Sequence, residues 1–206
     1  MKTITLFLLL AVCQLSFAGG DTNIIAMSDW SKPVGTSLGQ TLRGRMILSQ
    51  GHSSAHAGPW PETEFYLELQ NVSGGIGDPM QFHFDPAGLH CEMVGSNGKP
   101  PPMVGGGGSG GGAGACSITL PYDGTIRLRV GMYGYGMPPG DGLLLVLIPG
   151  SQWWDIRPGN TNDYFMSGTF TVAPPTNSVA RDFETERAIW SGTLEFPKMK
   201  VWVGKP

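Results

Sequence analysis

The stretch Thr125–Val130 (TIRLRV) decides the fold class. Its three aliphatic side chains occupy alternate positions, with a threonine and two arginines between them. A period of two residues is the pattern of a β-strand that buries one face and exposes the other. The pair Asp123-Gly124, directly before it, is a typical turn sequence. We therefore predict a half-buried strand that begins after a tight turn.

The same alternation recurs along the chain, and 32 glycines and 17 prolines divide the sequence into short pieces. Further alternating segments are 42–49, 65–70, 80–85, 164–172 and 198–203. Leu143–Ile148 is an unbroken aliphatic run, which predicts a central strand covered on both faces. About eight strands at this spacing predict an all-β fold, an antiparallel β-sandwich. A closed barrel is the alternative, because periodicity does not report closure.

The N-terminus has the pattern of an export signal. Lys2 is followed by the apolar run Ile4–Val12, and Ser16-Phe17-Ala18 fits the small-x-small cut site of signal peptidase. The apolar run is too short for a permanent membrane span. We predict a signal peptide over 1–18, a single β-sandwich domain over 19–206, and a secreted or periplasmic protein. Cleavage before Cys13, which would leave a lipid-anchored chain, is the minor alternative.

The charge composition limits the classes of binding partner. Without Lys2 the chain has 12 Lys and Arg against 16 Asp and Glu. A mildly acidic chain without a basic stripe does not suit nucleic acid. We expect an extracellular protein or carbohydrate as the partner, no nucleic acid, no membrane span and no cofactor.

A glycine-rich segment lies between two cysteines. Eight of the ten residues 105–114 are glycine, which predicts a long loop. Export would remove Cys13 and leave Cys91 and Cys116, and an even pair in an oxidising compartment predicts a disulfide at the base of this loop. Two thiols, or a metal-binding or catalytic role, are the alternatives.

Motifs for catalysis are scarce. The sequence has no Gly-x-Ser-x-Gly element for a nucleophilic serine, so we expect a non-catalytic protein. His83, Asp85 and His90 are minor candidates for metal ligands, with surface polar residues as the favoured interpretation. Asn71-Val72-Ser73 is a glycosylation acceptor sequence, which has meaning only if the source organism glycosylates exported proteins.

Four aromatic residues are the candidates for ligand contact. Trp153 and Trp154 are adjacent on a predicted strand, so they point to opposite faces, while Tyr133 and Tyr135 lie in a Gly-rich loop. Tyrosine and tryptophan suit contacts with carbohydrate or protein because each combines an apolar ring with a polar group. Packing in the core and under loops is the alternative role.

Several segments resemble a loosely defined group of bacterial extracytoplasmic immunoglobulin-like modules, some of them appended to membrane sensor-type metallopeptidases. The resemblance lies in Trp30–Val34, Leu42–Met46, Phe65–Ser73, Asp163–Val172 and Ala188–Val201, of which Trp190-Ser-Gly-Thr-Leu with Pro197 is the most specific. It implies an immunoglobulin-like β-sandwich without catalytic residues.

Three functions are therefore considered. The first is an exported, non-catalytic immunoglobulin-like binding or structural module with Trp153, Trp154, Tyr133 and Tyr135 as its contact surface. The second is an inhibitor of an extracellular protease that presents the loop Gly136–Gly142. The third is a metal-dependent hydrolase that uses the three metal-ligand candidates.

Overall fold

The computed structural model describes residues 23–36, 39–51, 62–74, 79–103, 114–132, 143–147, 152–156, 160–174 and 189–202. The described residues form twelve β-strands and one short 3-10 helix. The strands are β1 Asn23–Met27, β2 Val34–Gly35, β3 Thr41–Gly51, β4 Glu62–Asn71, β5 Met80–Phe84, β6 Leu89–Gly95, β7 Cys116–Leu120, β8 Thr125–Met132, β9 Leu143–Leu147, β10 Gln152–Ile156, β11 Tyr164–Val172 and β12 Gly192–Trp202. The 3-10 helix, Pro86–Gly88, lies between β5 and β6.

The strands form three sheets. The large sheet has the order β1-β3-β4-β8-β9-β10, with β2 also paired to β3. The small sheet has the order β12-β11-β6, and β5 pairs with β7 in a two-stranded sheet. All pairs between these strands are antiparallel. The prediction of an all-β, antiparallel chain is therefore confirmed. Across the ranges described, no helix is long and apolar enough to cross a membrane.

Two sequence predictions about the strands need correction. The described residues contain twelve strands rather than about eight, because short strands such as Val34–Gly35 pair at the edge of the large sheet. The aliphatic run, predicted as the central strand, is β9 and lies one strand from the edge. It pairs with β8 through only two residues, Leu147 with Gly131 and Val146 with Met132, and with β10 on its other side. The centre of the large sheet is β4 and β8.

Side chains from all three sheets share one hydrophobic core. In β5 the alternation is complete: Met80, Phe82 and Phe84 are buried, whereas Gln81 and His83 are exposed. The largest fully buried side chains are aromatic: Trp190, Phe65, Phe82, Phe84 and Phe170. The period-two pattern in the sequence therefore reports the inward faces of the sheets directly.

Trp190, just before β12, joins different parts of the core. Its indole is fully buried, and Nε1 donates a hydrogen bond of 3.0 Å to the carbonyl oxygen of Val34 in β2. Its backbone N–H donates to the carbonyl oxygen of Gln81 in β5 at 2.6 Å. Burying an indole of about 200 Å² contributes on the order of 5 kcal/mol before entropy is counted. This residue therefore connects the large sheet, the two-stranded sheet and the start of β12.

Gly44 in β3 allows β12 to approach the large sheet closely. A Cβ atom at this position would lie 2.8 Å from Cδ2 of Leu69 and 2.9 Å from Cε1 of Phe196. Such distances are shorter than carbon atoms tolerate, and Phe196 belongs to the small sheet. The phenyl ring thus packs into the space that a side chain at this position would fill.

A buried carboxylate joins the three strands at the middle of the large sheet. Glu68 in β4 is directly opposite Arg45 in β3 and Arg127 in β8. Its two oxygens accept hydrogen bonds from Arg45 Nε at 2.5 Å and from Arg127 Nη2 at 2.9 Å. Glu68 is 6% exposed, so its charge is compensated by the two guanidinium groups rather than by water.

Two serines complete the hydrogen bonds of β3 where β1 ends. Ser28 donates its backbone N–H to the carbonyl oxygen of Met46, and its Oγ accepts the N–H of Met46, both at 3.0 Å. Ser31 does the same with Gly44, at 2.7 Å and 3.0 Å. The hydroxyl groups take the place of the carbonyl groups that a regular strand would offer.

Trp30 lies between these two serines and packs on the outer face of the sheet. The centroid of its ring lies 4.6 Å from Cζ of Arg43 and 4.4 Å from Cζ of Arg45. These distances are typical of cation–π contacts. The departure of the backbone from regular strand geometry therefore places an aromatic ring over two arginines.

Asn71 holds the end of β4 against the turn between β7 and β8. The residue is fully buried, and Nδ2 donates to the carbonyl oxygens of Leu120 and Pro121, both at 3.2 Å. Oδ1 accepts from the backbone N–H of Ser73 at 3.1 Å and from its hydroxyl at 2.6 Å. A glycan on Asn71 would need the buried Nδ2 atom, so the folded chain does not present this acceptor sequence to solvent.

We expect Asn71→Asp to destabilise the protein by about 3 kcal/mol, because it places a carboxylate against two carbonyl oxygens in a buried site. The measurement is the free energy of unfolding from urea titration at pH 7. Asn97→Asp is the matched control: Asn97 is exposed and its Oδ1 accepts the N–H of Lys99, a role that a carboxylate retains. Equal stability of the two variants would contradict the role assigned to Asn71.

Candidate functional site

A groove of about 450 Å³ lies beside the last strand of the small sheet, and we call it the β6 groove. Strand β6 ends the small sheet and strand β10 ends the large sheet. Residues of both strands line the groove, together with residues of the segment Pro100–Met103. Its volume lies within the usual range of small-ligand sites, about 300–1,000 Å³.

The segment Pro100–Met103 reaches the groove through a tight turn after β6. Gly95 donates its N–H to the carbonyl oxygen of Lys99 at 2.7 Å, and Asn97 Oδ1 accepts the N–H of Lys99 at 2.9 Å. The chain then meets β10, where Asp155 donates its N–H to the carbonyl oxygen of Pro102 at 3.2 Å. This segment therefore links the edge of the small sheet to the edge of the large sheet.

One side of the groove is apolar. Trp154 of β10 is 3% exposed and lines it together with Cys91 and Met93 of β6, which are also buried. Met103 forms an isolated bridge with Trp154 and is 60% exposed. An exposed methionine over a buried indole provides an adaptable apolar surface.

The other side is a polar row across the outer face of the small sheet. Ser167 of β11 pairs with Glu92 of β6. The register between β11 and β12 shifts between Met166 and Gly168, and Lys198 lies in that shift on the β12 side. Glu92 and Lys198 are exposed and Ser167 is half-buried. The row thus offers an acid, a hydroxyl and an amine within one groove.

The structure locates some of the predicted aromatic residues. Trp154 is in the core and lines the groove, and Trp153 pairs with Val146 in the β9–β10 ladder. Tyr133 and Tyr135, as well as the loop Gly136–Gly142 considered for protease inhibition, lie outside the described residues. Of the four aromatic residues predicted to contact a ligand, the described structure therefore places Trp154 in the β6 groove.

The three candidate metal ligands do not form a cluster. His83 is exposed on β5 opposite Ser117, and His90 is exposed on β6 opposite Thr169. Asp85 caps the 3-10 helix, because its Oδ1 accepts the N–H of Ala87 at 2.9 Å. Within the described ranges, no three His, Cys, Asp or Glu side chains come together as metal ligands would.

The predicted disulfide between Cys91 and Cys116 needs correction. No disulfide is seen in the part of the chain that the structure describes. Strand pairing places the two residues in different sheets: Cys91 is opposite Gly168 in the small sheet, and Cys116 is opposite Phe84 in the two-stranded sheet. Burial raises the pKa of the Cys91 thiol from about 9 to about 12.

Sequence reasoning missed most residues of the groove. Pro100 is the first residue of the triple proline Pro100-Pro101-Pro102, and Ser167 and Lys198 are outward residues of ordinary alternating strands. The alternation predicted that these two side chains face outward. No signal in the sequence indicates that they meet across a register shift.

We expect Cys91 to react very slowly with iodoacetamide in native residues 19–206 at pH 8. The thiolate is the reactive form, so raising the pKa from about 9 to about 12 lowers its population about a thousandfold. Peptide mapping by mass spectrometry measures the rate, with the same protein in guanidinium chloride as the control. Two alkylated cysteines are expected there without reductant. Protection of both under those conditions would indicate the disulfide instead.

No protein-family model, curated protein or solved structure matches this chain.

Proposed function

We propose that the chain is an exported, non-catalytic immunoglobulin-like β-sandwich module that binds an extracellular protein or carbohydrate in the β6 groove. The observation that carries the proposal is the groove itself, in which a buried indole and an exposed methionine face an acid, a hydroxyl and an amine. Ligand sites typically combine an apolar wall with a few polar groups that orient the ligand.

Two features of the fold support a sandwich. The large and the small sheet both contribute side chains to one core, which includes Leu67 of β4 and Leu194 of β12. Strand β12 also packs on β3, where Gly44 receives Phe196. Two antiparallel sheets with a shared core are the arrangement of a β-sandwich.

The location of the groove also fits a binding role. It lies at the lateral edges of the two sheets, where a ligand can enter without disturbing the core. The paired residues Glu92 and Ser167 belong to its polar side, so two of its polar groups stand on strands joined by backbone hydrogen bonds rather than on a loop. A preorganised site loses less entropy on binding.

Filling the groove should abolish binding. We expect Ser167→Trp to weaken, at least tenfold, every fragment that the parent protein binds from a set of monosaccharides and capped dipeptides, measured by saturation-transfer NMR. Thr171→Trp is the matched control, since Thr171 is exposed on the same face of β11 and does not line the groove. Unchanged binding in Ser167→Trp, or no bound fragment at all, would refute the proposed site.

Export predicts a defined N-terminus. When the full sequence is expressed in a bacterium, we expect an extracytoplasmic protein whose intact mass corresponds to a start at Gly19, because Ser16-Phe17-Ala18 is a good cleavage site. A mass that retains residues 1–18 would contradict export. A lipid-modified Cys13 at the N-terminus would show that the exported protein is anchored to the membrane rather than released.

A further inference from the structure

We propose that the apolar side of the β6 groove binds a soft monovalent metal ion, Cu(I), through the sulfur atoms of Cys91, Met93 and Met103. This metal site goes beyond the protein or carbohydrate ligand proposed above and does not depend on it.

Three sulfur-bearing side chains meet on this side of the groove. Cys91 and Met93 lie two residues apart on β6, are both buried and line the groove. Residues two apart in a strand point to the same face and are separated by about 6.6 Å along it. Met103 lines the same groove from a different segment, which is joined to β10 by its bridge with Trp154. The fold thus brings one thiol and two thioethers to a single cavity from two parts of the chain.

The two methionines can adapt to an ion without movement of the backbone. A methionine side chain is unbranched and has three rotatable bonds, and Met103 is 60% exposed, so packing does not fix its rotamer. The groove has a volume of about 450 Å³. Metal–sulfur bonds are about 2.3 Å long, so this volume accommodates an ion together with the thioether groups around it.

The sulfur atoms determine the class of metal. Thiolate and thioether are soft ligands, which suit Cu(I) and Zn²⁺, whereas carboxylate and water suit harder ions. On binding, the ion takes the place of the thiol proton of Cys91, the proton passes to solvent, and no electron is transferred. The single thiolate then balances the charge of Cu(I), and the two thioethers add no charge. Structural Zn²⁺ sites take four ligands, and Zn²⁺ with one thiolate would leave a positive charge on the apolar side, which is costly without a counter-ion.

The harder donors of the described residues lie elsewhere. Glu92 alternates with the two buried sulfur residues of β6, so its side chain points to the opposite face, where it is exposed. The exposed histidines His83 and His90 do not line the groove. Lys198 lines the polar side with an ammonium group, which has no lone pair for a metal. Among the described residues that line the groove, the side-chain donors on the apolar side are therefore sulfur atoms.

The test replaces methionine by leucine, which keeps the apolar volume and removes the sulfur atom. The variant is Met93→Leu/Met103→Leu, which changes one buried and one exposed methionine of the groove. Met80→Leu/Met27→Leu is the matched control, because it also changes one buried and one exposed methionine, and neither lines the groove. The purified exported protein is titrated with Cu(I) under nitrogen against bicinchoninate, a chromogenic Cu(I) chelator. X-ray absorption then identifies the atoms bound to copper.

We expect one Cu(I) per chain, surrounded only by sulfur atoms at about 2.3 Å. Its affinity should fall at least tenfold in the groove variant, stay within threefold in the matched control and be lost in Cys91→Ala. In Cys116→Ala, which removes a cysteine that does not line the groove, the affinity should also stay within threefold. Equal affinities in the two double variants, loss of binding in Cys116→Ala alone, or nitrogen and oxygen as the copper ligands would overturn the metal site.

Fragment binding separates the metal site from the proposed function. Fragments that bind the parent protein and not Ser167→Trp, with no Cu(I) retained, would overturn the metal site and leave the proposed function standing. Cu(I) bound as expected, with no bound fragment, would refute the proposed function and support the metal site.

Discussion

The carboxylate of Glu68, between the guanidinium groups of Arg45 and Arg127, fixes how the three middle strands of the large sheet align. Removing one partner of a buried ion pair typically costs about 3–5 kcal/mol, and a one-residue slip would remove both partners at once. The same slip would turn the apolar side chains of β4 out of the core. The same register places Gly44 opposite Leu69, beside the space into which Phe196 of the small sheet packs.

The strands were predictable because burial acts on every second residue. Alternation in Met80–Phe84 and Tyr164–Val172 identified both strands within one residue of their observed bounds. For Leu143–Leu147 the aliphatic run identified the strand but not its place in the sheet, because an aliphatic run carries no information on strand order. Order depends on which turns bring strands together, and residues far apart in the chain decide that. The disulfide prediction failed for a related reason: an even count of cysteines carries no information on where the fold places each thiol.

The groove was predictable only in part. Trp154 was a candidate for ligand contact because aromatic residues are common in binding sites, and it does line the groove. Met103 and Lys198 come from distant segments, and they reach the groove through the proline segment after β6 and the register shift in β12. A site formed at the edges of two sheets depends on tertiary packing, so local sequence patterns carry little information about it.

The serine hydroxyls of Ser28 and Ser31 have a consequence for how copies of the molecule meet in solution. A regular strand at the rim of a sheet is a template for uncontrolled association and fibril growth. Here the described part of the rim strand β1 is only five residues long, and the segment after it pairs with β3 through serine side chains instead of continuing as a regular strand, so the described rim offers only a short template. A short rim strand thereby lowers the tendency of copies of the molecule to associate through that side.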